Sequence, residues 1–320
     1  MGGIVDALPA VGKVFGLIIL GLLVFRIGFL KKILDRLIWI NLNILFPVYF
    51  IDSFSRGWDE ALMGGWSWMV IFFVSCFGLI GAQYLFGRLL IGKNRLIPSD
   101  RPKDLIILFA VQNAGYIPLP IIEAIAPDAL VVYLFFFFFA FNIIFWGLTV
   151  SLLSSADKGF RFRLNMPLIG LAGGVLIAAF GLYDYLPPLI RRAFSATGAV
   201  ALNLILVLMG GILATIPREG IFFSREFVRF IVIKMLAYPA IVLGALALLP
   251  LEGLRPAMAA GIKVVFVLQA AVPPATNNLI AARAYGTREQ ELHIGNGMIH
   301  TYAASLITLP LFIVAALLIF

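Results

Sequence analysis

Apolar residues in this chain come in long runs separated by short polar connections, and the runs have the length of membrane-crossing helices. Taken in order they predict ten spans, over roughly residues 6 to 26, 33 to 54, 66 to 90, 104 to 126, 128 to 153, 166 to 186, 188 to 214, 224 to 249, 256 to 284 and 291 to 319. Gly57, between Arg56 and Trp58, punctuates the second connection, and Pro98, Pro102, Pro127, Pro187, Pro188, Pro217 and Pro250 mark others. The fourth and ninth runs carry helix-breaking and polar residues at their middles. The fourth reads Gln112-Asn113-Ala114-Gly115-Tyr116-Ile117-Pro118-Leu119-Pro120, and the ninth reads Gln269-Ala270-Ala271-Val272-Pro273-Pro274-Ala275-Thr276-Asn277-Asn278.

A helix cannot run unbroken through either stretch. Pro118, Pro120, Pro273 and Pro274 each remove a backbone donor and crowd the preceding turn, and Gly115 weakens it further. The freed carbonyls and amides lie at membrane depth, where lipid cannot satisfy them. Such backbone persists only under a cover of protein or beside a watery cavity. Two breaks in corresponding halves point to a transporter's binding site.

The pattern predicts an all-α integral membrane protein in two halves: a first five-helix repeat over 1–155, a linker over 156–165, and a second over 166–320. Five is odd, so halves of one fold must lie inverted relative to each other. The fourth span of each half is the broken one, and the second spans echo each other in Ile40-Asn41-Leu42-Asn43-Ile44-Leu45 and Ala201-Leu202-Asn203-Leu204-Ile205-Leu206.

Composition agrees: 62% of the residues are hydrophobic and 12% charged, too little polar surface for a soluble globule. The net charge of +8 sits in short clusters between apolar runs, as topology signals do, without a nucleic-acid-binding module around them. Odd-numbered connections hold 17 basic residues against 5 on the other side, with Lys234 and Lys263 inside spans completing the 24. The odd connections, the central 156–165 loop among them, are therefore expected in the cytoplasm and both termini outside, in a plasma or inner membrane. The apolar run from Val14 to Phe25 is followed by basic residues and lacks a small-residue cleavage site, so it reads as a retained first span. The lone Cys76 excludes an intrachain disulfide and a multi-cysteine metal site.

Three stretches carry a family resemblance: Asn113-x-Gly115-x-x-x-x-Pro120 in the fourth span, Gln269-Ala270-Ala271-Val272-Pro273 with Ala282-x-x-Tyr285 in the ninth, and Ser305-Leu306-Ile307-Thr308-Leu309-Pro310 in the tenth. In this order and at these spans the whole chain resembles the auxin efflux carriers, which include plant PIN-type proteins and many prokaryotic organic-anion carriers. The resemblance implies a five-plus-five inverted repeat in which helices 4 and 9 cross at their breaks. It also implies a fold similar to bile-acid sodium symporters, with a scaffold from spans 1, 2, 6 and 7 and a mobile transport domain from spans 3–5 and 8–10. Plant members commonly have proline before the asparagine matching Asn113, where this chain has Gln112, so plant substrate preference does not carry over.

The chemistry at the breaks follows from the residues themselves. Pro118 or Pro120, and Pro273 or Pro274, suit the first turn of a new half-helix, whose free amides and positive end attract an anion. A carboxylate would accept from those amides and from Asn113, with Gln112, Gln269, Thr276, Asn277 and Asn278 as neighbouring polar groups; alternatively these amides cap the broken helices and satisfy one another. Lys234, about ten residues into the eighth span, is placed to balance an anion, whereas Lys263 lies nearer a membrane surface and is expected to snorkel. His300 in the tenth span is a candidate proton relay or a packing residue. No Asp or Glu falls clearly at mid-membrane, which weakens a coupling mechanism built on a buried carboxylate. Phe135 to Phe139 reads as a lipid- and core-facing surface, and Gly170, Gly173 and Gly174 permit close helix approach.

The expected function is a secondary carrier of a small organic anion, with membrane lipids as surroundings, no nucleic-acid partner, and a homodimer as one open assembly. It needs no cofactor or metal, and coupling to Na+ or H+ stays open. Outward direction and elevator-like movement come from the resemblance. Sodium- or proton-coupled uptake, a channel and a sensor are the competing readings. An enzyme is disfavoured because H-E-x-x-H, paired catalytic aspartates and aspartate-rich metal motifs are all absent.

Overall fold

The computed structural model describes residues 3–153, 166–217, 219, 221–251 and 254–320; the expected 156–165 linker lies outside the described residues. Among the described residues every regular element is helical. Besides a short 3₁₀ turn at Leu182–Tyr185, in chain order they are α1 (Ile4–Val24), α2 (Gly28–Gly64), α3 (Ser67–Leu90), α4 (Pro102–Ala110), α5 (Pro118–Ile125), α6 (Asp128–Leu153), α7 (Met166–Ala179), α8 (Pro188–Ala214), α9 (Arg225–Leu248), α10 (Pro256–Ala271), α11 (Asn277–Tyr285) and α12 (Arg288–Ile319). Helices α4, α5, α8 and α10 all open on proline, whose missing N–H costs nothing in a first turn. Seven of these helices, α1, α2, α3, α6, α8, α9 and α12, are long and apolar enough to cross a membrane, and the chain is an integral membrane protein on that ground.

The fourth and ninth runs are broken, the first between Ala110 and Pro118 and the second between Ala271 and Asn277. The second span departs from the expected 33 to 54. Helix α2 runs for 37 residues, and Gly57 is inside it rather than in a connection. A Cβ on Gly57 would stand 2.6 Å from the Asp128 carbonyl oxygen, so this glycine serves a close approach to α6. The turn falls instead at Gly65, whose φ of 109° suits glycine.

The residues group into two compact units. The first comprises residues 3–74, 115–142 and 166–214. In it α1 and α8 approach backbone to backbone: a Cβ on Gly21 would stand 1.8 Å from the Val207 oxygen, and one on Gly210 1.9 Å from the Ile18 oxygen. Gly170 and Gly174 face Pro47 and Phe50/Phe54 of α2 in the same way, whereas Gly173, expected to share that role, has nothing within 4 Å. The phenylalanine run of α6 interdigitates with α2, Phe135 standing 5.1 Å from Phe50 and 4.9 Å from Phe54. Phe135, Phe137 and Phe138 are buried, each contributing roughly 1.5 to 3 kcal/mol of apolar burial.

The second unit comprises residues 75–114, 143–153 and the described residues from 215 to 320. It holds α4, α9, α10, α11 and α12, most of α3 and the end of α6. Within α9, residues Val232–Ala237 form a π-helical turn just before Pro239, which withholds the donor the preceding turn would have used.

Candidate functional site

The second unit contains the meeting of the two breaks. After α4 ends, Val111 leaves helical geometry (φ −106°, ψ 80°), and Gln112 pairs with Pro274 as a single antiparallel bridge. The Asn113 N–H donates to the Pro273 carbonyl at 2.9 Å, and the Ala275 N–H donates to the Val111 carbonyl at 3.0 Å. Backbone groups that proline and glycine removed from the helices are thus returned to one another, as a dry interior requires.

Side-chain amides complete the cover. Gln269 Nε2 donates to the Ala114 carbonyl at 2.8 Å, and Asn278 Nδ2 donates to the Val111 carbonyl at 3.0 Å. The Tyr302 hydroxyl of α12 donates to the Pro274 carbonyl at 3.1 Å and receives a long contact of 3.4 Å from Asn113 Nδ2. Gln112, Asn113, Gln269, Thr276 and Asn278 are all buried, and Asn277 is half-buried. The donors of Gln269 and Asn278 are therefore spent on backbone, leaving Gln269 Oε1 and Asn278 Oδ1 without hydrogen-bond partners among the described residues.

Lys234 reaches this centre through a residue that the sequence did not single out. Its side chain is fully buried in the π turn, with Nζ 5.2 Å from the Phe109 ring centre and 5.4 Å from that of Tyr238. Oriented by its partners, the Gln83 amide accepts from Lys234 Nζ at 3.2 Å and donates to the Ala110 carbonyl at 2.9 Å and to Gln112 Oε1. Lys234 pairs with no carboxylate among the described residues. Gln112 Nε2, at the far end of this chain of bonds, is buried and has no partner among the described residues.

Other expected site residues lie differently. Pro118 does open α5 and Pro120 follows in its first turn, but Pro273 and Pro274 stand in the extended connection rather than opening α11, which starts at Asn277. Their carbonyls accept from Asn113 and Tyr302, which needs an extended chain there. Gly115, Pro118 and Pro120 belong to the first unit, where Gly115 gives room to the Phe138 ring, 2.6 Å from a would-be Cβ. The first amides of the new half-helices are partly engaged, Leu119 with the Gly115 oxygen and Asn278 with that of Ala275. His300 packs: its Nδ1 meets the Asn296 carbonyl at 2.8 Å and its ring stacks on Phe227. Lys263 lies over the Phe320 ring, at the chain's end.

Some carboxylates are buried within the helices. Asp52 is 2% exposed and, because α2 extends to Gly64, sits about 18 Å from that helix end. Arg56 at 3.1 Å and the Tyr183 hydroxyl compensate it, and the Tyr49 hydroxyl donates to Glu123 at 2.8 Å. These groups are in the first unit. In the second, Asp104 is equally buried.

The fold and the centre together define an integral membrane protein whose interior holds two broken helices closed over a polar core. Residues 167–313 match the model of a family described as membrane transport protein, so α7 through most of α12, second break included, is similar to membrane transport proteins. A comparison with curated proteins returns no match.

Proposed function

We propose that the protein is a secondary carrier that moves a small organic anion, of the carboxylate or weak-acid class, outward across the membrane. The observation that carries this is the bonded chain Lys234–Gln83–Gln112 ending in a buried, unpartnered amide donor inside the paired break. Hydrogen bonds in series polarise one another, so a lysine cation at one end strengthens the Gln112 donor at the other. The site then offers an anion positive potential without direct contact to a formal charge, and Asn113 stands beside it. Binding of this kind leaves release easy, as a carrier needs.

The resemblance to auxin efflux carriers supports ten spans in a five-plus-five inverted repeat, with the breaks as crossing helices 4 and 9. A scaffold of spans 1, 2, 6 and 7 is supported by the grouping of α1, α2, α7 and α8 in one compact unit and of α9 to α12 in the other; α5 and residues 128–142 also group with the first. Elevator-like movement of the second group is the mechanism proposed. The test is counterflow in liposomes loaded with unlabelled indole-3-acetate or benzoate. Saturable accumulation of the labelled acid is expected, and flux that is linear in concentration and indifferent to the trans acid overturns the carrier reading.

A further inference from the structure

A second polar cluster lies apart from the break. His293 of α12, 7% exposed, has its ring between two carboxylates: Nδ1 is 3.2 Å from Asp104 Oδ2 of α4, and Nε2 is 3.6 Å from Glu226 Oε1 of α9. Gln290 Nε2 donates to the other Asp104 oxygen at 3.4 Å, and the Phe227 ring covers the imidazole at 5.1 Å. The next charged groups outward are paired among themselves, Arg101 with Glu289 and Arg283 and Arg288 with Glu291. His293 Nδ1, Asp104 Oδ2 and Glu226 Oε1 are buried without a directed hydrogen bond among the described residues. A neutral imidazole donates through one nitrogen and can serve one carboxylate only; an imidazolium donates through both.

We infer that His293, Asp104 and Glu226 form a proton-binding site whose occupancy ties together α4, which ends at the first break, and α9 and α12, which bring Lys234 and Tyr302 to it. Each partner leads directly to it. Asp104 is six residues before Ala110, where α4 ends, a rise of about 9 Å. Glu226 is eight residues before Lys234, and His293 nine before Tyr302, which bonds to Pro274. A proton from water binds the ring, the imidazolium draws both carboxylates in, and the ends of α4, α9 and α12 are held together. Loss of the proton frees them. By the basic asymmetry these ends face the cytoplasm. The inference rests on the carrier reading for its consequence, and on geometry alone for the proton site.

The test has two arms on the full chain. The protein has two histidines, so ¹⁵N-histidine NMR in detergent, assigned with His293→Gln and His300→Gln, follows the His293 ring directly. Both ring nitrogens of His293 should carry hydrogen-bonded protons at acid pH, and its titration midpoint should fall by about one unit or more when Asp104→Asn and Glu226→Gln are combined. A midpoint unmoved by both substitutions overturns the site. In proteoliposomes, indole-3-acetate exchange should slow about threefold or more between pH of about 8 and about 6, and be flat in His293→Gln. Identical profiles in parent and variant overturn the coupling. If the parent exchanges neither indole-3-acetate nor benzoate, the carrier reading fails, and the NMR titration still decides the proton site.

Discussion

The Asn113 N–H donates to the Pro273 carbonyl at 2.9 Å, joining the middle of one broken helix to the middle of another. That bond and its neighbours convert two stretches of stranded backbone into a single closed structure. The arrangement makes the break a built element of the fold, on which the polar side chains around it depend.

The Gln112 donor is the first prediction. Gln112→Ala removes the unpartnered amide and should weaken indole-3-acetate binding by about 1 to 3 kcal/mol, roughly 5- to 150-fold in Kd. Isothermal titration on detergent-purified protein measures this, with the melting temperature as a check on folding. Parental affinity in a well-folded variant would show that the donor does not face the ligand.

Lys234→Met keeps the volume of the side chain and removes its charge. Because Lys234 pairs with no carboxylate among the described residues, the fold should hold or gain stability, since a buried charge without a counter-charge is a cost. Transport should nevertheless fall about tenfold or more as the Gln83–Gln112 chain loses its source of polarisation. Lys263→Ala, at the far end of α10's first turns over Phe320, should leave the rate within about twofold. Equal rates for the two variants at matched expression would defeat the assignment.

The Tyr302 hydroxyl is a structural pin. Tyr302→Phe leaves the Pro274 carbonyl without that donor in a buried setting and should cost about 1 to 3 kcal/mol. Thermal unfolding in detergent reads it as a lowered Tm, and an unchanged Tm would mean that water replaces the hydroxyl.

The glycine contacts give a packing prediction. Gly210→Ala places a Cβ where the Ile18 carbonyl oxygen stands, so α1 and α8 must part, at about 1 to 3 kcal/mol. Gly173→Ala meets nothing within 4 Å and should be neutral or stabilising by up to about 1 kcal/mol. The order of the two melting temperatures is the measurement.

Topology can be tested with single cysteines in a Cys76→Ser background. Cysteines at Gly3 and Ala156 should react with an impermeant maleimide from opposite faces of the membrane, as the basic asymmetry predicts. Reaction of both from one face would contradict an odd number of spans between them.

The sequence alone determined where helices run and where two of them break, because length, apolarity, proline and glycine act on the nearest turn of backbone. Helix α8 is found at 188–214 as expected, and α4 and α10 stop beside their glutamines, at Ala110 and Ala271. Gly57 misled because a glycine in a polar neighbourhood reads as a turn, while its reason here is the Asp128 carbonyl across on α6. Only the tertiary structure decided what the polar residues do. Gln269 and Ala114, or Asn278 and Val111, are 155 and 167 positions apart, and hydrogen bonds across such distances leave no periodic trace in the chain. Gln83 and His293 were silent for the same reason: an amide or imidazole in an apolar helix takes its role from whichever helices pack against it, and that is fixed when the core closes.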